Sequence, residues 1–440
     1  MKLEVELISN EIVKPSSPTP GNLRHYQLSF LDHLTPKTYN PFVLFYHLNV
    51  HGDSNNITQI CIELKKSLSN VLTLYYPLAG RVNKDEFVDC NDEGIPFFEA
   101  QVKGKLISEV MKNPILPELD KFLPFELDEV AEFPLGVQLN VFECGGIAIG
   151  VCLSHQLGDA LSCLVFIKTW VAIARGEADV ARPQFVSAAL FPPKTEPYWF
   201  NPNSDITKKN IITKGFVFSA STIEALRNKY DKNISLDENE RRPSRIEVLS
   251  TFIFSRIVAA TNDIQSGGVE KLYVVVHPVN IRPKLDPPLP ENSFGNLYRI
   301  ATTLVPWSNI NEEKCVNGLV KQFREAIRKV DKEYLEQVQQ GNEVCLDFLK
   351  ENATNVAMRG GEVITVSFTS LCRFPLYEAD FGWGKPAWVS SASFVCNNVI
   401  SFRDTKLGEG IETYITLNED FMAKLEADQE FLKSVSSIGC

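Results

Sequence analysis

The sequence predicts a mixed α/β (α+β) fold built in two halves, and three observations carry that expectation. Strand-like and helix-like periodicities occur together on both sides of the midpoint. A polar stretch with four prolines, from Phe191 to Asn210, separates the two sides. The 440 residues also exceed one ordinary domain, which holds roughly 100–200 residues. We therefore expect an N-terminal unit over 1–190, a crossover linker over 191–214 and a C-terminal unit over 215–440.

The elements follow in order. Residues 14–20, KPSSPTP, are expected to be extended, because each proline lacks a donor and biases its predecessor away from helix. Ile60, Leu64, Leu68 and Leu72 recur at helical spacing, so 58–74 reads as an amphipathic helix. The alternation of 137–142, the turn Glu143-Cys144-Gly145-Gly146 and the apolar run 147–153 predict a strand pair. Leu161 to Ala174 is almost wholly apolar and reads as a buried helix. Beyond the linker come a strand at 215–220, a helix at 222–230 and a charged loop at 236–245. A buried strand follows at 271–279, then one long helix over 312–340 with charges spaced i,i+4. Further strands are expected at 363–369 and 410–416.

Charge narrows the function. A net charge of −11 and a pI near 5.3 argue against nucleic acid or an anionic membrane as the main partner. No apolar run approaches the ~18 residues of a membrane span, and the first residues lack a signal-peptide block. Ten scattered cysteines without CxxC pairs suit free thiols in a reducing compartment, so a cytoplasmic location is expected. No metal-spaced Cys/His set, Walker loop, GxSxG or HExxH is present.

Among six histidines, His155 is the best placed for chemistry, in SHQLGDA between a buried strand and a helix. An imidazole with an ordinary pKa near 6.5 takes a proton at physiological pH. The plainer reading is a hydrogen-bonded histidine at a strand end. Asp159, four residues on, is equally suited to a helix N-cap or to a dyad. Cys152 sits inside an apolar strand, where cysteine behaves as a small hydrophobe rather than a nucleophile. Composition reads Asp380-Phe381-Gly382-Trp383-Gly384 as a tight aromatic turn.

HQLGD and DFGWG, about 220 residues apart, resemble the paired motifs of the BAHD acyltransferases. KPSSPTP, YPLAGR, FVDCND, VNIR, SFGN and GEGIE extend the resemblance along nearly the whole chain. KPSSPTP, FVDCND, FECGG and FPPK are similar to the branch that acetylates alkaloids and other specialised-metabolite alcohols. The resemblance implies two chloramphenicol-acetyltransferase-like domains with a channel between them. It implies acyl-CoA as co-substrate, no permanent cofactor and no metal; a monomer without a membrane or nucleic-acid partner is expected. It makes His155 the general base and turns Asp159 away from the cleft to pair with Arg282. Asp380, Gly382, Trp383 and Gly384 would maintain the fold and the CoA side. Ser244 and Arg245 match a segment near the cofactor; Arg241, Arg242, Arg245 and Lys271 are candidates for its phosphates, and each is equally well read as a solvated surface charge.

Two departures stand out. Ala160 follows the motif aspartate where glycine is common, and Leu371 stands where relatives often carry tryptophan. Thr369 is still a candidate donor to the reacting oxyanion. The expected reaction is direct acyl transfer in a ternary complex, with no acyl-enzyme. Transfer to an amine or a sugar hydroxyl, a non-catalytic family member and a thioesterase are the rival readings.

Overall fold

The computed structural model describes residues 2–48, 54–84, 86–128, 132–194, 210–231, 241–261, 271–306, 313–341, 351, 354–356 and 358–439. Within them the chain builds two large sheets, one in each half. The first has six strands in the order Glu4–Val13, Ile95–Lys103, Leu135–Phe142, Ile147–Ser154, Tyr39–Tyr46 and Trp388–Ser390. The second has seven, in the order Tyr298–Pro306, Lys271–Asn280, Glu362–Ser370, Val399–Asp404, Gly410–Asn418, Ile211–Ser219 and Ser436–Ser437. Both sheets mix parallel and antiparallel pairs, so the predicted mixed α/β class is the observed one.

Helices cover one face of each sheet. Ser54–Leu74 presents Ile60, Leu64, Leu68 and Leu72 to the first sheet, and Ala160–Ala174 packs beside it. Trp170 at the centre of this layer donates its indole N–H to Ser67 Oγ at 2.9 Å, which satisfies a buried donor. On the second sheet, Arg245–Thr261 is almost wholly buried against Val275, Val366, Ile400 and Ile415. The opposite face of the second sheet carries Thr365, Ser367 and Thr369, because strand side chains alternate and Ile364, Val366 and Phe368 take the helix side. This polar face turns toward the first half.

Three expectations change. The predicted helix over 312–340 is two helices, Glu313–Arg328 and Lys332–Gln339. Asp331 starts the second by accepting the Tyr334 backbone N–H at 2.9 Å, and Val330 turns into the core. The expected linker 191–214 is shorter at its end, since Ile211 to Lys214 already pair in the strand Ile211–Ser219. Residues 195–209, its proline-rich middle, and 236–240 of the charged loop lie outside the described residues.

The third concerns the segment carrying DFGWG, expected within the C-terminal unit 215–440. It leaves the second sheet after Ser370 and packs on the first, with Leu376, Ala379, Phe381 and Val389 in that core. Trp388–Ser390 then pairs with Tyr39–Tyr46 as the edge strand of the first sheet. Trp388 stacks on Phe45 with ring centres 5.2 Å apart. The second half thus lends a strand to the first, which fastens the two sheets together.

Candidate functional site

The site grows from the end of one strand. Ile147–Ser154 is buried throughout, and its chain emerges at His155, whose backbone N–H donates to Thr38 O at 2.8 Å. The His155 ring is half-buried at the seam between the halves. Its Nδ1 lies 3.2 Å from Asn296 Oδ1, a residue of the other half. The Asn296 amide has one orientation available. Its Nδ2 donates to Asp32 Oδ1 at 2.9 Å, His155 O at 2.7 Å and Gln156 O at 3.1 Å, all pure acceptors. Oδ1 therefore faces the imidazole as an acceptor, so the proton sits on His155 Nδ1. Nε2 keeps its lone pair, as a general base requires.

Asp32 anchors this network from below. It is fully buried in the turn Phe30–His33, where it accepts the Ser29 backbone N–H and hydroxyl, each at 2.7 Å. Burial raises its carboxyl pKa, and the bonds from Ser29 and Asn296 oppose that rise. Burial also pushes the His155 pKa below its usual 6.5, opposed by its backbone, Asp159 and the Asn296 bond. A depressed pKa keeps the imidazole neutral, and so ready to accept a proton, at physiological pH.

Asp159 is occupied elsewhere. It N-caps the helix Ala160–Ala174, accepting Ser162 N at 2.8 Å. Arg282 grips both of its oxygens, Nη1 to Oδ2 at 2.8 Å and Nη2 to Oδ1 at 3.1 Å, and Leu297 N adds a bond at 3.2 Å. Arg282 is itself 2% exposed, and it also donates to Ser293 O, Ser162 Oγ and Gly295 O. None of these bonds is made with His155. The pair crosses the seam, so it fixes the loop 293–298 and with it Asn296.

The other predicted residues are placed as follows. Thr369 is half-buried on the polar face of the second sheet, in register with Ser401. Asp380 Oδ1 accepts the backbone N–H of both Gly382 and Gly384 at 2.9 Å, forming a closed Asx-type turn. Both glycines have φ near +110°, a region closed to side chains with a Cβ. Trp383 stacks on Phe381, and Phe381 meets Trp170 edge-on, so the motif clips the lent segment to the first core. Ser244 caps the helix Arg245–Thr261 reciprocally with Glu247, and Arg245 donates to Asp404 Oδ1 at 2.8 Å. Arg241 pairs with Glu247, Arg242 with Glu224, and Lys271 with Glu362.

Cys152 is sealed in its strand, and burial raises its thiol well above the usual range. Among the described residues no cluster of three or more His, Cys, Asp or Glu could hold a metal ion. No described helix is long and apolar enough to cross a membrane. Sequence reasoning missed Asn296 and Asp32 as site residues. SFGN was visible as a motif, but nothing in it revealed a path from Asn296 to His155.

Two mixed sheets, a lent edge strand and a histidine at their seam define a transferase scaffold. The transferase-family model matches residues 3–432. The solved structure of vinorine synthase superposes with a TM-score of 0.81 at 34% identity, covering 99% of each chain. Stemmadenine O-acetyltransferase of Catharanthus roseus is 34% identical over 437 residues, 97% of each chain. A limonoid 21-O-acetyltransferase of Citrus sinensis is 37% identical over 443 residues, 99% of each chain. The chain belongs to this transferase family, the BAHD acyltransferases.

Proposed function

We propose that the protein is an acyl-CoA-dependent O-acyltransferase. It moves an acetyl group from acetyl-CoA to a hydroxyl of an alkaloid, limonoid or similar specialised metabolite, with His155 as general base. The observation that carries this reading is the Asn296 amide, which holds the proton on His155 Nδ1 and leaves Nε2 free to accept. The names of the similar proteins, an alkaloid and a limonoid O-acetyltransferase, supply the substrate class.

The steps balance without a metal or a covalent enzyme intermediate. His155 Nε2 takes the hydroxyl proton as that oxygen attacks the thioester carbonyl. A C–O bond forms and the carbonyl electrons move onto oxygen. Thr369, on the polar face, is our candidate donor to this oxyanion, whose stabilisation is usually the largest catalytic contribution. Collapse breaks the C–S bond, and the CoA thiolate takes the proton back from His155. Asp159 and Arg282 shape the site and carry no proton. Asp380, Gly382, Trp383 and Gly384 hold the lent segment.

The N-terminal edge of the helix Arg245–Thr261, with Ser244 and Arg245, is our candidate for the CoA side. Arg241, Arg242 and Arg245 reach solvent there, each paired with a carboxylate, of which Glu247 is buried. We take the protein as two units, 1–190 and 215–440, with Trp388–Ser390 lent back across the boundary. We take it as a monomer, and place it in the cytosol, a location with which the unbridged Cys61, Cys90, Cys144, Cys152, Cys163, Cys372 and Cys396 agree.

The test is purified protein with acetyl-CoA and a panel of alkaloid, limonoid and sugar alcohols and amines. Free thiol and product mass are followed. Thiol release that depends on an acceptor, with a gain of one acetyl group, is expected. It should fall by roughly 10²–10⁴ in His155→Ala. Release without acceptor, or wild-type turnover in a folded His155→Ala, would overturn the assignment.

A further inference from the structure

One cation of the second sheet is buried with part of its hydrogen-bonding capacity unused. Arg403 is 1% exposed, and its Nε and Nη1 are enclosed with no hydrogen-bond partner. It makes no ion pair among the described residues. The carboxylate opposite it across the strands, Glu412, accepts from Trp388 Nε1 at 3.4 Å and Tyr414 OH at 3.2 Å through Oε2, and Arg403 opposes the burial-driven rise of its pKa without reaching ion-pair distance. The guanidinium instead lies 4.5 Å from the Tyr414 ring centre and 6.0 Å from that of Phe42. Ring faces attract a cation, but they do not replace the hydrogen bonds that a buried guanidinium loses.

Its place in the fold gives the orphaned donors a direction. Phe402 fills the helix-covered core, so Arg403 and Ser401 project from the opposite face, toward the first half. Ser401 Oγ is also buried without a partner. Ser401 is in register with Thr369 on the neighbouring strand. Thr369, Ser401 and Arg403 therefore form one polar row, with unsatisfied donors at its deep end.

We propose that Arg403, with Ser401, is an oxygen-binding subsite that determines substrate choice. It would hold a carbonyl, ester or carboxylate oxygen of a bound substrate, apart from the reacting hydroxyl. The proposal rests on the acyl-transfer reading only for its substrates. The oxygen can belong to the acceptor or to an amide of the pantetheine arm, and the experiment separates the two.

The variants are Arg403→Met, an unbranched apolar replacement, and Arg403→Lys, which keeps the charge. Because Arg403→Met removes the cation that offsets the buried Glu412 carboxylate, its melting temperature is measured first, and Arg403→Lys, which keeps that charge, serves as the folded control. Binding is then read by ligand-induced thermal shift, with acetyl-CoA and with pairs of polycyclic alcohols that differ by one carbonyl or carboxylate. The wild type should favour the oxygenated member, and Arg403→Met should weaken that member by roughly tenfold or more. Arg403→Lys should recover part of the loss. A selective loss for acetyl-CoA instead would assign the same subsite to the donor.

Wild-type binding of acetyl-CoA and of both members of each pair by Arg403→Met would overturn the proposal. So would a uniform loss across all ligands. Repeating the binding series in His155→Ala keeps the two readings apart. A retained preference with retained transfer would defeat the base and leave the subsite standing. A lost preference with abolished transfer in His155→Ala would defeat the subsite and leave the base.

Discussion

Two histidines of this protein are pressed into low-dielectric surroundings and end with opposite capacities. His277 lies inside the second half, between Phe323 at 5.0 Å and Phe368 at 5.5 Å between ring centres. Its Nδ1 is buried with no hydrogen-bond partner, and burial lowers its pKa to about 4, against a small upward pull from Glu247. His155 is also lowered by burial, yet it sits at a strand end with Nδ1 engaged by Asn296. Burial makes both imidazoles neutral. Only the seam adds an oriented tautomer and a ring nitrogen, Nε2, left without a hydrogen bond among the described residues, and those two additions separate a base from a core residue.

The largest test of this contrast is to truncate each ring in turn. His155→Ala should lose roughly two to four orders of magnitude in kcat with its melting temperature nearly unchanged. His277→Ala should do the reverse, costing about 2–4 kcal/mol of stability through a core cavity while kcat in the folded fraction holds. Denaturant titration beside steady-state kinetics reads both, and an equal loss of activity in the two variants would break the comparison.

Next in size is the support of the seam. Arg282→Ala leaves the buried Asp159 carboxylate unpaired, at a cost of about 3–5 kcal/mol. Activity should fall with it, because the loop that carries Asn296 loses its anchor. Asp159→Asn removes the charge but keeps the shape, and should cost less on both counts. If Asp159→Asn matched His155→Ala in kcat while remaining as stable as wild type, Asp159 would have to act chemically.

A pH dependence follows from His277. Its folded pKa, about 4, lies below the ordinary 6.5, so the native state binds fewer protons than the unfolded chain between those values. Its contribution is complete above about pH 6.5 and is lost as pH falls toward 4, on the order of 3 kcal/mol in all. Melting temperatures measured across that range should show this acid limb, flattened in His277→Phe. An unchanged limb in the variant would place the acid sensitivity elsewhere.

The smallest effect sharpens the contrast most. Asn296→Ala frees the His155 tautomer without touching Nε2, so kcat should drop roughly tenfold to a hundredfold, part of what the base supplies. The KM for acetyl-CoA should stay put. A change confined to KM would mean that Asn296 holds a substrate rather than the ring.

Much of the architecture was legible along the chain where a pattern is local. The helix with Ile60, Leu64 and Leu68, the strand pair ending at His155 and the apolar helix after Asp159 all stand where the spacing put them. The helix over 312–340 misled because its charges continue at helical spacing through Asp331. A capping aspartate and a turning valine broke it, and both depend on a neighbour to pack against. The strand Trp388–Ser390 was invisible, since three residues carry no period and their partner lies over 340 positions earlier.

The sequence by itself determined the periods, the caps, the turn glycines of DFGWG and the one histidine placed at a strand-to-helix junction. Each depends on residues within a turn or two, where sterics and hydrogen bonding act through the chain. Tertiary structure alone decided that Asp159 faces Arg282, that Asn296 and Asp32 set the His155 tautomer, and that Arg403 is buried with unpaired donors. Those outcomes depend on which distant groups are brought within about 3 Å of one another, where hydrogen bonds form. That closeness is created by packing two halves together, and no spacing along one chain encodes it.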